Sequence, residues 1–148
     1  MATGSTAISY RADVRSVPKG ALVFLGRLFF ALIFLVSGAG HFAKQTIAYA
    51  AAQGVPLASV VVPLSGLLAV VGGLSILLGY HARIGAWLIV LFLVPVTFMM
   101  HKFWAATDPM MAQMQMSMFM KNISMLGGAL LISQFGAGPF SLDARWTR

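Results

Sequence analysis

With 148 residues, 59% of them hydrophobic and only 9% charged, the chain carries more apolar surface than a soluble domain of this size can hide, because the surface of a small domain must largely face water. Its mean hydropathy of +0.89 makes a lipid bilayer the expected solvent. The net charge of +7 would suit nucleic acid, but the basic residues are scattered over the ends of apolar runs without interleaved aromatics, which argues against nucleic acid and for anionic lipid headgroups.

In chain order, a polar leader, 1–19, precedes a first apolar run at 22–41. That run has the roughly 20 residues that an α-helix rising about 1.5 Å per residue needs to cross a bilayer. The small residues Ser37 to Gly40 would also suit a signal peptidase, but the run exceeds an ordinary signal core and the leader is long and polar, so a membrane helix is expected. His41 and Lys44 follow its end. The segment "KQTIAYAAAQGVP", with Gly54 and Pro56, reads as a break. The second run, 57–79, carries Ser65, Ala69 and Gly73 at four-residue spacing, with Gly72 beside them. Such small residues let helices approach closely, as do Gly127 and Gly128 later on; packing within the bundle is the reading favoured over a homo-oligomeric face.

The turn "GYHAR" leads into a third run, 84–101, and Pro63 and Pro95 are expected to bend the second and third helices. The third run ends in "HKFW", His101 to Trp104. The fourth apolar run is 119–136. Thr107 or Asp108 can cap a helix and Pro109 suits its first position, so this helix can begin near 109. Within it, Met114, Met116, Met118 and Met120 alternate. In a strand they would share one side and could bind Cu(I). In a helix they split between two faces, with Met111, Met114 and Met118 on one and Met116 and Met120 on the other. The cap favours helix, so flexible apolar packing is expected and copper is a remote alternative.

The expected fold is thus all-α: an integral membrane four-helix bundle in one domain, 1–148. Arg11, Arg15, Lys19, Arg27, Arg83, Arg145 and Arg148 fall on one side, and Lys44, Lys102 and Lys121 on the other. Because cytoplasmic segments carry the excess of Lys and Arg, both termini are expected to be cytoplasmic. The chain has no cysteine, so by itself it holds no disulfide, persulfide or iron–sulfur cluster. Its three carboxylates, Asp13, Asp108 and Asp143, lie outside the apolar runs, which counts against a proton-coupled transporter.

The side opposite the termini gathers His41, His101, Lys102, Lys121, Asn122 and Trp104. The plain reading is an interfacial anchor, with Trp104 in the aromatic belt and Lys102 and Lys121 snorkelling to phosphates. The functional reading is a set of hydrogen-bond donors beside apolar walls. A quinone ring suits that setting, because its carbonyls accept hydrogen bonds and its tail favours lipid. His101 could also exchange a proton near neutral pH. Haem between His41 and His101 fits less well, since both lie at helix ends.

The chain resembles the DoxX family from about Leu22 to Asp143. The matching pieces are "GRLFFALIFLVSGAGHF" at Gly26 to Phe42, "GVP" at Gly54 to Pro56, "GGLSILLGYHAR" at Gly72 to Arg83, "HKFW", "FMKNISMLGGALL" from Phe119, and "GAGPFSLD" ending at Asp143. The resemblance implies a four-helix inner-membrane protein described as an oxidoreductase subunit. Its name-giving relatives belong to a thiosulfate:quinone oxidoreductase, in which electrons from a sulfur compound reach membrane quinone. Many relatives carry a glutamate three residues before the paired glycines, where this chain has Ala69, and a lysine near the place of His41. Membership fixes fold better than reaction.

Two functions are carried forward. One is a quinone-interacting oxidoreductase subunit of the bacterial inner membrane, with no covalent cofactor and no metal, its ring site formed by His101, Lys102, Lys121 and Asn122 with His41 and Trp104 at the rim. It needs a redox partner protein, since nothing in the chain is an electron carrier. The other is a non-catalytic scaffold or small-solute module in which the same residues only anchor the bundle.

Overall fold

The computed structural model describes residues 19–146. Leader residues 1–18, with Arg11 and Arg15, lie outside the described residues, as does Arg148. Helices follow at α1 (Lys19–Gly40), α2 (Lys44–Ala52), α3 (Ala58–Leu78), α4 (Ala82–Met100), α5 (Pro109–Phe135) and α6 (Leu142–Trp146), with a 3-10 turn at Phe103–Ala105. Among the described residues, α1, α3, α4 and α5 are the helices long and apolar enough to cross a membrane.

The starting point of α5 follows from its sequence. The Asp108 carboxylate accepts a hydrogen bond from the Met111 amide at 2.7 Å, and Pro109, which has no N–H to leave unpaired, occupies the first helical position. The helix therefore runs 27 residues, about 40 Å, longer than the hydrocarbon it crosses. One element departs from the sequence expectation. The "KQTIAYAAA" segment forms α2 because four alanines favour helix and Ala50 finds a burial site against Ala58 and Val62 of α3.

Packing runs α1 on α3, α3 on α4 and α4 on α5, with α2 laid against α3. Lipid tails are as apolar as leucine, so this packing rests on close backbone approach. A Cβ on Gly72 would come within 2.9 Å of the Gly85 carbonyl oxygen across α3 and α4, and one on Gly66 within 2.7 Å of the Gly38 carbonyl oxygen across α3 and α1. Phe34, Ile76, Ile89 and Leu93 fill the core between them. The two outer helices of the row, α1 and α5, meet where the Phe30 ring lies over Gly128, while Gly127 faces open space. Pro63 and Pro95 lie inside α3 and α4.

The chain's described ends meet at one end of the bundle, and Arg27 locks them. Its guanidinium, 4% exposed, donates from Nη1 to the Ala137 carbonyl at 3.0 Å and from Nη2 to the Phe140 carbonyl at 2.7 Å. Asp143 accepts from the backbone N–H groups of His81 at 2.8 Å and Ala82 at 3.2 Å. The tail's carboxylate thus caps α4, where the helix dipole favours negative charge. Its own N–H donates to the Gly79 carbonyl at 2.8 Å.

Candidate functional site

At the other end, a cavity of about 280 Å³ opens between α1, α4 and α5. Its walls are apolar: Ile33 and Phe34 from α1, Phe92, Leu93, Val96 and Met100 from α4, and Met125 from α5. Its polar residues are far apart in sequence: Ser37, His41, Thr46, Tyr49, His101, Lys121 and Asn122.

Each polar group is placed by its helix. α1 ends at Gly40, and the close crossing at Gly38 and Gly66 brings His41 over α3, where a Cβ on Gly66 would strike the His41 Cβ. The His41 ring stands edge-on to Phe92, with centroids 5.6 Å apart, and its Nδ1 lies 2.8 Å from the Ser37 carbonyl oxygen. His101 is the C-terminal cap of α4 and its Nδ1 lies 2.9 Å from Gln115 Oε1 on α5. Lys121 lines the cavity and donates from Nζ to Met118 Sδ at 3.4 Å. Asn122 is 4% exposed, lines the same space, and its amide makes no hydrogen bond among the described residues. Lining the cavity without a protein partner, the amide is available to a ligand or water there.

Four of the six residues singled out from sequence therefore share one cavity: His41, His101, Lys121 and Asn122. The other two do not join them. Lys102 turns toward α2, donating to the Gln53 carbonyl at 3.4 Å, and lines a neighbouring space of about 330 Å³ with Tyr49, Gln53 and Gln115. Trp104 is 57% exposed and packs edge-on against Phe103 and Phe119 at 5.1 and 6.1 Å, which suits an interfacial anchor. Met114, Met116, Met118 and Met120 lie on α5 with exposed side chains, and the helix divides them between faces.

The structure adds Gln115, Thr46 and Tyr49. Gln115 had a legible signal: it stands seven residues before Asn122, two helical turns away on the same stripe. Thr46 and Tyr49 had none, because their segment read as a break. A second cavity of about 90 Å³, almost wholly apolar, shares His41, Thr46, Val96 and Met100 with the first and extends along Pro95 and Val62. The chemistry on offer is a small apolar-walled chamber with an ammonium, an amide, two imidazoles and three hydroxyls. Among the described residues no carboxylate lines it.

Comparison with known proteins places the fold among relatives. The family model described as DoxX matches residues 22–102. The chain is similar to inner membrane protein YqjF of Escherichia coli (strain K12), 32% identical over 123 residues, 82% of this chain and 88% of the relative. It is also similar to inner membrane protein YphA of the same organism, 29% identical over 132 residues, 86% of this chain and 91% of the relative. No solved structure matches.

Proposed function

The chain belongs to the DoxX family, and we propose on that footing that it is a multi-pass inner-membrane subunit whose cavity between α1, α4 and α5 receives the ring of a membrane quinone. The observation that carries this reading is the convergence of His41, His101, Lys121 and Asn122, drawn from three membrane helices and their ends, on one space walled by Phe34, Phe92, Leu93 and Val96.

The volume of about 280 Å³ lies at the small end of ligand sites, suited to a ring but not to an isoprenoid tail. The tail's natural course is outward between α1 and α5, which touch only loosely along their length. Lys121 and Asn122 offer N–H donors to the ring oxygens. The apolar walls exclude water from the ring faces. Bound quinone would supply the two-electron chemistry, and a partner protein the electrons, because no residue of this chain is an electron carrier.

The test uses the full chain in lipid nanodiscs, titrated with a short-tailed benzoquinone. Lys121→Ala and Asn122→Ala are each expected to weaken binding by about tenfold or more, the scale of a lost hydrogen bond to a charged or buried group. Lys102→Ala, which alters only the neighbouring space, is expected to leave affinity unchanged. Native-like folding with no binding, or binding indifferent to Lys121 and Asn122, overturns the reading and leaves the scaffold or small-solute module.

A further inference from the structure

We propose that this cavity takes the hydroquinone form of its ligand in preference to the quinone, with His41 as the group that distinguishes them; the inference rests on the reading of the cavity as a quinone-ring site. It begins at the end of α1. There the His41 backbone N–H turns to the Gly38 carbonyl at 3.1 Å, so the Ser37 carbonyl loses its helical partner and becomes one of the orphan acceptors of a helix C-terminus. The His41 Nδ1 takes that place at 2.8 Å.

A backbone carbonyl can only accept. His41 must therefore carry its proton on Nδ1, and in a neutral imidazole that leaves Nε2 as a bare lone pair. The ring is held in place by the edge of Phe92 and by the backbone of Gly66 beneath it. Among the described residues Nε2 has no hydrogen-bond partner.

The cavity thus presents donors at Lys121 and Asn122 and an acceptor at His41. A quinone carbonyl only accepts, so at His41 it would set lone pair against lone pair. A hydroquinone hydroxyl both donates and accepts, so one ring satisfies both ends. The mismatch leaves a buried polar atom unpaired, which favours the hydroquinone by about tenfold or more. The other titratable or charged groups lining the cavity are Tyr49 on α2, His101 beyond α4 and Lys121 on α5, with none from α3.

The experiment measures anaerobic binding of short-tailed benzoquinone and of its hydroquinone to the full chain in nanodiscs. The expected result is hydroquinone bound at least about tenfold more tightly than quinone. His41→Phe keeps a ring between Phe92 and Gly66 and is expected to reduce the preference to within about threefold while still binding quinone. If that variant misfolds, the comparison of the two ligand forms on the native chain decides. Equal or tighter quinone binding by the native chain, or a preference kept in full by folded His41→Phe, overturns this inference and leaves the quinone site standing. Binding of neither form overturns both.

Discussion

Arg27 shows how backbone carbonyls can hold a charge inside a membrane helix. Its two Nη groups bond the carbonyls of Ala137 and Phe140, and its ring contact is Phe24, with the guanidinium carbon 5.8 Å from the centroid. These carbonyls need a donor because the tail between α5 and α6 turns through Gly136, Gly138 and Phe140 with positive φ, leaving its backbone without helical partners. Phe140, at φ 58°, and His81, at φ 48°, each hold a conformation costing about 1–3 kcal/mol, tolerated only because neighbouring contacts fix it. Arg27→Met keeps the apolar stem but orphans both carbonyls. It is expected to cost about 2–4 kcal/mol, read as a lower Tm and as faster tryptic cleavage at Arg145. Ala69 is fully buried and would touch a Cβ added at Gly38. A longer polar side chain at this site would have to enter the crossing of α1 and α3, so this chain keeps it apolar.

Among the elements, α5 separates what a helix inherits from its own residues and what its neighbours decide. Asp108 and Pro109 set its start locally, and Asp108→Ala is expected to cost about 1 kcal/mol and to speed hydrogen exchange at the Met111 amide, whose N–H it binds. Exchange there unchanged from the native chain would show that the cap contributes nothing. Which face of α5 turns inward is set by the stripe Gln115, Asn122 and Ala129, spaced at seven residues, of which Asn122 and Ala129 are buried. α3 and α4 depend instead on contact. Their backbones meet at Gly72 and Gly85, so Gly72→Val must push the helices apart. That change is expected to lower Tm by several degrees, consistent with an overpacking cost of about 1–3 kcal/mol. Gly127→Ala, facing open space, is expected to be neutral and serves as the control.

At the scale of the molecule, the described ends of the chain lie at one end of the bundle and the cavity at the other, since four crossings return the chain to its starting side. The arginine-rich end carries the expectation of a cytoplasmic location. A chain without cysteine allows a direct check. Thr107→Cys is expected to react with a membrane-impermeant maleimide applied from outside the inner membrane, and Gln134→Cys only after the membrane is opened; the reverse pattern would invert the topology. Four crossings, their approximate limits and a start of α5 near Pro109, capped by Thr107 or Asp108, were legible in the sequence alone, because hydrocarbon demands long apolar helices with internally satisfied backbones and leaves few other solutions; the structure chose Asp108. The polar residues gathered at the far end were also legible, since they follow from where the runs stop. Tertiary structure decided that His41, His101, Lys121 and Asn122 face one chamber while Lys102 and Trp104 turn away, because the rotations of α1, α3 and α4 are set by glycine crossings that no periodicity in these nearly uniformly apolar helices reveals. It decided α2 as well, whose short alanine-rich stretch is marginal alone and stays helical because Ala50 and Ile47 pack on α3.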